Sequence, residues 1–124
     1  MEMSAKYKSE SFALRIVNLY KFLTNLHNEY VISKQILRSG TSIGANLAEA
    51  ECAISRKDFT SKVYIALKEC SETRFWLRLL YKSNYIDKKT FESIYQDSDE
   101  LIRMLSASTK TLMGKKQEDK EIIK

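Results

Sequence analysis

Seven basic residues crowd one stretch of this sequence, and their spacing suggests what chemistry they could do. Between residues 55 and 83 lie Arg56, Lys57, Lys62, Lys68, Arg74, Arg78 and Lys82 against Asp58, Glu69 and Glu72, so nearly all of the formal net charge of +5 falls there. Arg74, Arg78 and Lys82 recur at four-residue intervals and would form one ridge on a helix. Arg56 shares their angular sector, while Lys57 and Lys68 point further outward. Such a ridge neutralises phosphates along an RNA or DNA backbone without reading bases. The competing reading is an ordinary solvated face on which Glu69 and Glu72 pair with Arg74 or neighbouring lysines.

A second polar set has a different character. Ser42, Asn46 and Glu49 stand at i, i+4 and i+7, on a shoulder beside an apolar helix face and among small residues. This spacing predicts a buried hydrogen-bond network with Glu72 or Thr73 of the next helix, fixing register rather than performing catalysis.

Enzymatic constellations are missing from the chain. His27 stands alone, with no carboxylate or thiol spaced to join it, and reads as structural. Glu49, Glu69 and Glu72 supply acids, but no Glu-x-x-His accompanies them, so a di-iron bundle site is not expected. No phosphate-binding glycine loop, nucleophile elbow or HExxH motif occurs. Cys52 and Cys70 lack CxxC spacing and read as reduced thiols. The expectation is a non-enzyme with no catalytic residues, no metal and no cofactor.

The elements that must position these residues are helical. No proline and only three glycines occur in 124 residues, which leaves too little turn punctuation for a multi-stranded sheet. Phe12, Ile16, Leu19, Leu23 and Leu26 mark one stripe of a helix from about residue 4 to 28, and residues 29–32 form a break. Ile36, Ile43, Leu47, Ala50 and Ile54 mark a second helix, whose Ser39, Gly40, Gly44 and Ala48 permit close backbone approach. Ser55 is placed to cap a third helix with Asp58 in its first turn; the stripe there is Phe59, Val63, Ala66, Cys70, Thr73, Leu77 and Leu80. After a break at 83–86, Asp87 caps a fourth helix carrying Phe91, Ile94, Ser98, Leu101, Leu105 and Leu112. Gly114 ends the periodic pattern, so residues 1–113 read as the bundle and 114–124 as a charged, disordered tail. Short connections imply an all-α, up-down-up-down antiparallel four-helix bundle.

No apolar run is long enough to span a membrane and no secretory leader precedes the first helix, so a cytoplasmic protein without membrane contact is expected. On the third helix Tyr64 and Phe75 project opposite the core stripe, with Ile65 and Trp76 flanking it. A helix apolar on several faces is buried on several faces, which predicts a homo-oligomer with Tyr64, Phe75 and Trp76 at its interface.

The run from Arg38 to Ala50 (RSGTSIGANLAEA), then Lys57-Asp58-Phe59, Ala66 to Thr73 (ALKECSET) and Trp76-Leu77, resembles the bacterial four-helix-bundle proteins encoded within intervening sequences of 23S ribosomal RNA. The likeness extends to about Leu112, and Ser42, Asn46, Glu49, Glu72 and Thr73 match that family's recurrent polar positions. Where the family often has glycine after its Ala-Glu, this chain has Ala50. The resemblance implies a ring, commonly a homopentamer. It also implies kinship with the accessory variability determinant protein of diversity-generating retroelements, a basic pentamer that associates with a reverse transcriptase and with nucleic acid. The functional expectations are thus a nucleic-acid-binding homo-oligomer or, alternatively, a scaffold for a protein partner such as a reverse transcriptase.

Overall fold

The computed structural model describes residues 3–123, with side chains described from Ala5 to Gly114. Four helices follow one another: α1 (Met3–His27), α2 (Ile32–Ala50), α3 (Arg56–Lys82) and α4 (Lys88–Ile123), and no strand occurs among the described residues. Contacts between neighbours run in opposite senses along the chain. Ser9 lies by Gly44 and Ile16 by Gly40; Thr73 meets Ser39 while Lys62 meets Glu49. Cys70 meets Ser98 while Arg78 meets Tyr95. Each helix is therefore antiparallel to the next, and Arg15 and Lys8 on Asp97 close α4 against α1. The core combines Phe12, Ile16 and Leu23 with Ile36, Ile43 and Leu47, Val63, Leu77 and Leu80, and Leu101 and Leu105, which are the stripes that the 3.6-residue period predicts.

Two ends of these stripes differ from the sequence expectation. Leu26 is 71% exposed and Ile54 is 94% exposed. Leu26 sits in the last turn of α1. Ile54 lies beyond the end of α2, where the Cys52 and Ala53 amides bond back to Glu49 and Ala50 and turn the chain out of register. The fourth helix also differs. Its backbone stays helical through Gly114 to Ile123, because Gly114 keeps a negative φ and the residues beyond it, rich in Lys and Glu, include no proline. The apolar stripe thus ends before the helix does; side chains of residues 115–124 lie outside the described residues.

The caps explain where the helices begin and turn. Ser55 Oγ accepts from the Asp58 amide at 3.0 Å, and Asp87 Oδ1 accepts from the Thr90 amide at 2.8 Å, both as the sequence predicts. Asn28 and Asn84 adopt positive φ of 50° and 68° at the two corresponding corners, a region asparagine tolerates better than most residues. After Asn84 the Tyr85 amide closes onto the Leu80 carbonyl at 2.9 Å.

The cap of α2 was invisible in the sequence. Buried Glu29 accepts from the amides of Val31 (3.0 Å), Ile32 (2.9 Å) and Ser33 (2.7 Å), satisfying donors of the helix start that have no partner within the helix. Burial pushes its carboxyl up, but the Ile32, Ser33 and Val31 amides outweigh that and hold it below its ordinary value of 4.5. A depressed carboxyl stabilises the fold above the unfolded value and loses that contribution as pH falls through the folded one. Glu29→Gln should therefore cost about 1–2 kcal/mol at neutral pH. The gap between variant and parent should shrink on acidification below about pH 4, as measured by urea unfolding across pH.

Candidate nucleic-acid interface

α3 packs on α2 along one side and on α4 along the other, which divides its basic residues into three groups. Arg74 faces α4. Its Nη1 donates to Asp99 Oδ1 at 3.2 Å, its Cζ lies 4.2 Å from the centroid of the Tyr95 ring, and its side chain is only 16% exposed. Arg78, one turn on, donates to the Tyr95 hydroxyl at 2.8 Å. Burial opposes ionisation of Tyr95, but Arg78 and Arg74 outweigh it and hold the phenol below its ordinary value. Tyr81, Phe91 and Tyr95 stack in a column at 4.5 and 4.9 Å that Arg74 closes. The expected ridge of Arg74, Arg78 and Lys82 is therefore not one open surface. Arg74 and Arg78 belong to the α3–α4 seam.

On the α2 side the acids of α3 are also occupied, by a residue that the charge argument overlooked. Arg38 pairs with both Glu69, at 3.3 Å, and Glu72. Lys62 reaches Glu49 at 3.4 Å across the same seam. The two acids thus answer to Arg38 rather than to Arg74 or neighbouring lysines.

The third group points away from the bundle. Lys57, Lys68 and Lys82 are exposed and have no ion-pair partner among the described residues. Arg56 is exposed at the start of the helix. Three uncompensated ammonium groups along one helix give a linear positive field suited to a polyanion.

The predicted polar network forms in a different arrangement. Thr73 bonds the Ser39 hydroxyl at 2.9 Å in the buried contact of α2 with α3 and also donates to the Glu69 carbonyl at 2.8 Å. Ser42 donates to the Arg38 carbonyl, and Asn46 donates to the Ser42 carbonyl, both within α2. Glu49 is exposed, and its carboxylate pairs with Lys62. Glu72 accepts from the Trp76 indole at 2.9 Å as well as from Arg38. Ser39 rather than Ser42 holds the buried position because it lies nearer the centre of the face that Ile36 and Ile43 define.

Of the residues expected at a subunit interface, Tyr64 is 45% exposed and Phe75 is 48% exposed, whereas Trp76 is half-buried against the core. Phe75 meets Trp76 edge to face at 4.9 Å. His27 is exposed, 4.8 Å from Phe22 and 6.1 Å from Tyr85 between ring centroids. Burial pushes the Cys70 thiol up to about 12, which keeps it protonated against the Ser98 carbonyl, and Cys52 is exposed. No group of three potential metal ligands gathers among the described residues, and no described helix is long and apolar enough to cross a membrane.

Among curated proteins none matches this chain. A crystal structure of a protein with unknown function from the S23 ribosomal protein family of Bacteroides thetaiotaomicron is 57% identical to it and superposes with a TM-score of 0.84, covering 86% of this chain and 98% of that one. The family model described as 23S rRNA-intervening sequence protein matches residues 1–107, which takes in α1 to α3 and α4 as far as Ala107. The chain belongs to the 23S rRNA-intervening sequence protein family.

Proposed function

We propose that this protein is a non-enzymatic, cytoplasmic homo-oligomer that binds the phosphate backbone of RNA or DNA. The observation that carries this reading is the outward face of α3, where Lys57, Lys68 and Lys82 stand exposed while the acids of the same helix are engaged elsewhere. Assembly, in a ring of five as the family resemblance implies, would repeat this face around an axis and multiply its field. Tyr7 and Leu14, exposed on successive double turns of α1, supply apolar surface for such assembly.

The test is a titration of nuclease-treated protein against RNA and DNA at low and physiological salt, with the mass in solution recorded alongside. Binding should weaken linearly in log-log coordinates. The combined variant Lys57→Ala, Lys68→Ala and Lys82→Ala should flatten that slope by about 0.7–0.9 for each phosphate that is no longer neutralised. An unchanged slope and affinity in the triple variant would remove the reading.

A protein-interaction scaffold is the second reading, favoured by Leu26, Tyr30 and Val31, which are exposed together where α1 turns into α2. A partner such as a reverse transcriptase that stays bound after nuclease treatment distinguishes it from tethering by nucleic acid.

A further inference from the structure

The outward face of α3 alternates charge with rings. Along it stand Lys57, Tyr64, Lys68, Phe75 and Lys82, spaced seven, four, seven and seven residues apart. Seven residues are about 20° short of two full turns, so these side chains keep nearly one bearing over roughly 37 Å of helix. Both rings are about half exposed, and neither belongs to the core. Phase alone would not distinguish such rings from scattered surface aromatics, but Phe75 is braced from behind. Trp76 meets it edge to face, the Trp76 indole is held by Glu72, and Glu72 is held by Arg38 of α2. A presented ring that keeps its orientation loses little freedom when something stacks on it.

Lysines alone would serve any phosphate backbone, duplex or single. Rings add something a duplex cannot use, because its base faces are already stacked on one another. A single strand offers both base faces and phosphates. Tyr64 and Phe75 lie eleven residues apart, roughly 16 Å along the axis, several times the 3.4 Å rise per base in a stacked strand. They would hold two bases with unstacked nucleotides between them, while the interleaved lysines follow the backbone. A second copy of this chain presenting the same face is a poorer occupant, since that pairing would bring its unpaired lysines toward one another, whereas a ring would seat this face against a different one and is tested by the mass in solution.

We infer that the outward face of α3 is a binding track for single-stranded nucleic acid, with Tyr64 and Phe75 stacking on bases and Lys57, Lys68 and Lys82 meeting phosphates. This rests on the nucleic-acid reading above and narrows its substrate class.

The experiment compares a 20-nucleotide oligothymidylate with a duplex of equal length, using the full chain and recording its mass in solution. The parent should prefer the single strand. Tyr64→Ala with Phe75→Ala should weaken single-strand binding by roughly 10- to 100-fold per ring while leaving duplex affinity and the salt slope unchanged, and Tyr64→Phe with Phe75→Trp should restore it. Equal loss on both probes, or no loss on either, overturns the stacking role. If the lysine variant still flattens the salt slope in that case, backbone binding survives without the rings. No binding of either probe by the parent overturns both readings. Dissociation of a parent oligomer by the ring substitutions assigns the rings to a subunit interface and overturns the inference.

Discussion

Gly40→Ala should lower the thermal unfolding midpoint by several degrees, although alanine is the better helix former. Gly40 lies buried in the middle of α2, where α1 crosses it, and a Cβ there would stand 2.8 Å from both Cγ1 and Cγ2 of Ile16 and 3.2 Å from its Cβ. Ile16 cannot step aside easily. It is fully buried, and its branched Cβ leaves few alternative rotamers. Helix propensity favours the substitution by about 1 kcal/mol, whereas forcing a methyl into a packed contact costs about 1–3 kcal/mol or more when the neighbours are rigid. The clash should win. Gly114→Ala is the control, since a Cβ there meets nothing within 4 Å and the backbone is already helical, so the same exchange should stabilise by about 0.5–1 kcal/mol. Gly44 falls between them, with a Cβ position 3.3 Å from Ser9 Oγ. Circular dichroism melts of the two variants test the ordering. A more stable Gly40→Ala would mean that the α1–α2 crossing has slack the geometry denies.

Arg74→Ala should destabilise the protein and leave nucleic-acid affinity per folded molecule unchanged. The guanidinium lies on Tyr95, and its stem is packed between α3 and α4, so truncation removes a cation–π interaction and buried methylenes, about 1–2 kcal/mol together. The ion pair to Asp99 adds little, because that carboxylate is open to water and already holds Arg103. A destabilisation of that size should move the melting midpoint by about 4 °C per kcal/mol in a domain of this length. The outward lysines should behave in the opposite way, altering affinity and salt dependence with little effect on melting. If Arg74→Ala abolished binding in a variant shown by circular dichroism to be folded, the division of α3 into an inner and an outer cationic set would be wrong.

That division marks where the sequence stops being legible. Apolar stripes at three- and four-residue spacing foretold all four helices, and Ser55 and Asp87 announced two of their starts. Periodicity places residues relative to their own helix. It does not say on which side each neighbour will lie. Four residues advance a helix by about 40° beyond a full turn, so Arg74, Arg78 and Lys82 drift by about 80° along what looks like one ridge. That drift carries the ridge from the α4 seam at Arg74 out to solvent at Lys82. Arg38 was missed for the same reason, since only the α2–α3 packing makes it the partner of Glu69 and Glu72. Glu29 was hidden differently: an acid in a connecting segment carries no sign that its carboxylate will turn back onto three amides. Ser42, Asn46 and Glu49 share a shoulder of α2 by spacing, yet Ser39 rather than any of them meets Thr73, because depth depends on how closely two helices approach.

The broadest contact in the bundle joins α2 to α3 and the narrowest joins α1 to α4, the first and last helices of the chain. Most of the packing is therefore made by segments that are neighbours in sequence, and little of it waits for the two ends to find each other. Closing the long loop between α1 and α4 carries an entropy penalty that this narrow seam offsets only weakly, so that step belongs late in folding, after the central hairpin has condensed. A chain built this way is expected to have low contact order and to fold quickly, which stopped-flow refolding would measure. Its terminal helices then join as additions to a hairpin already formed, and they are the first to leave it when the structure opens locally.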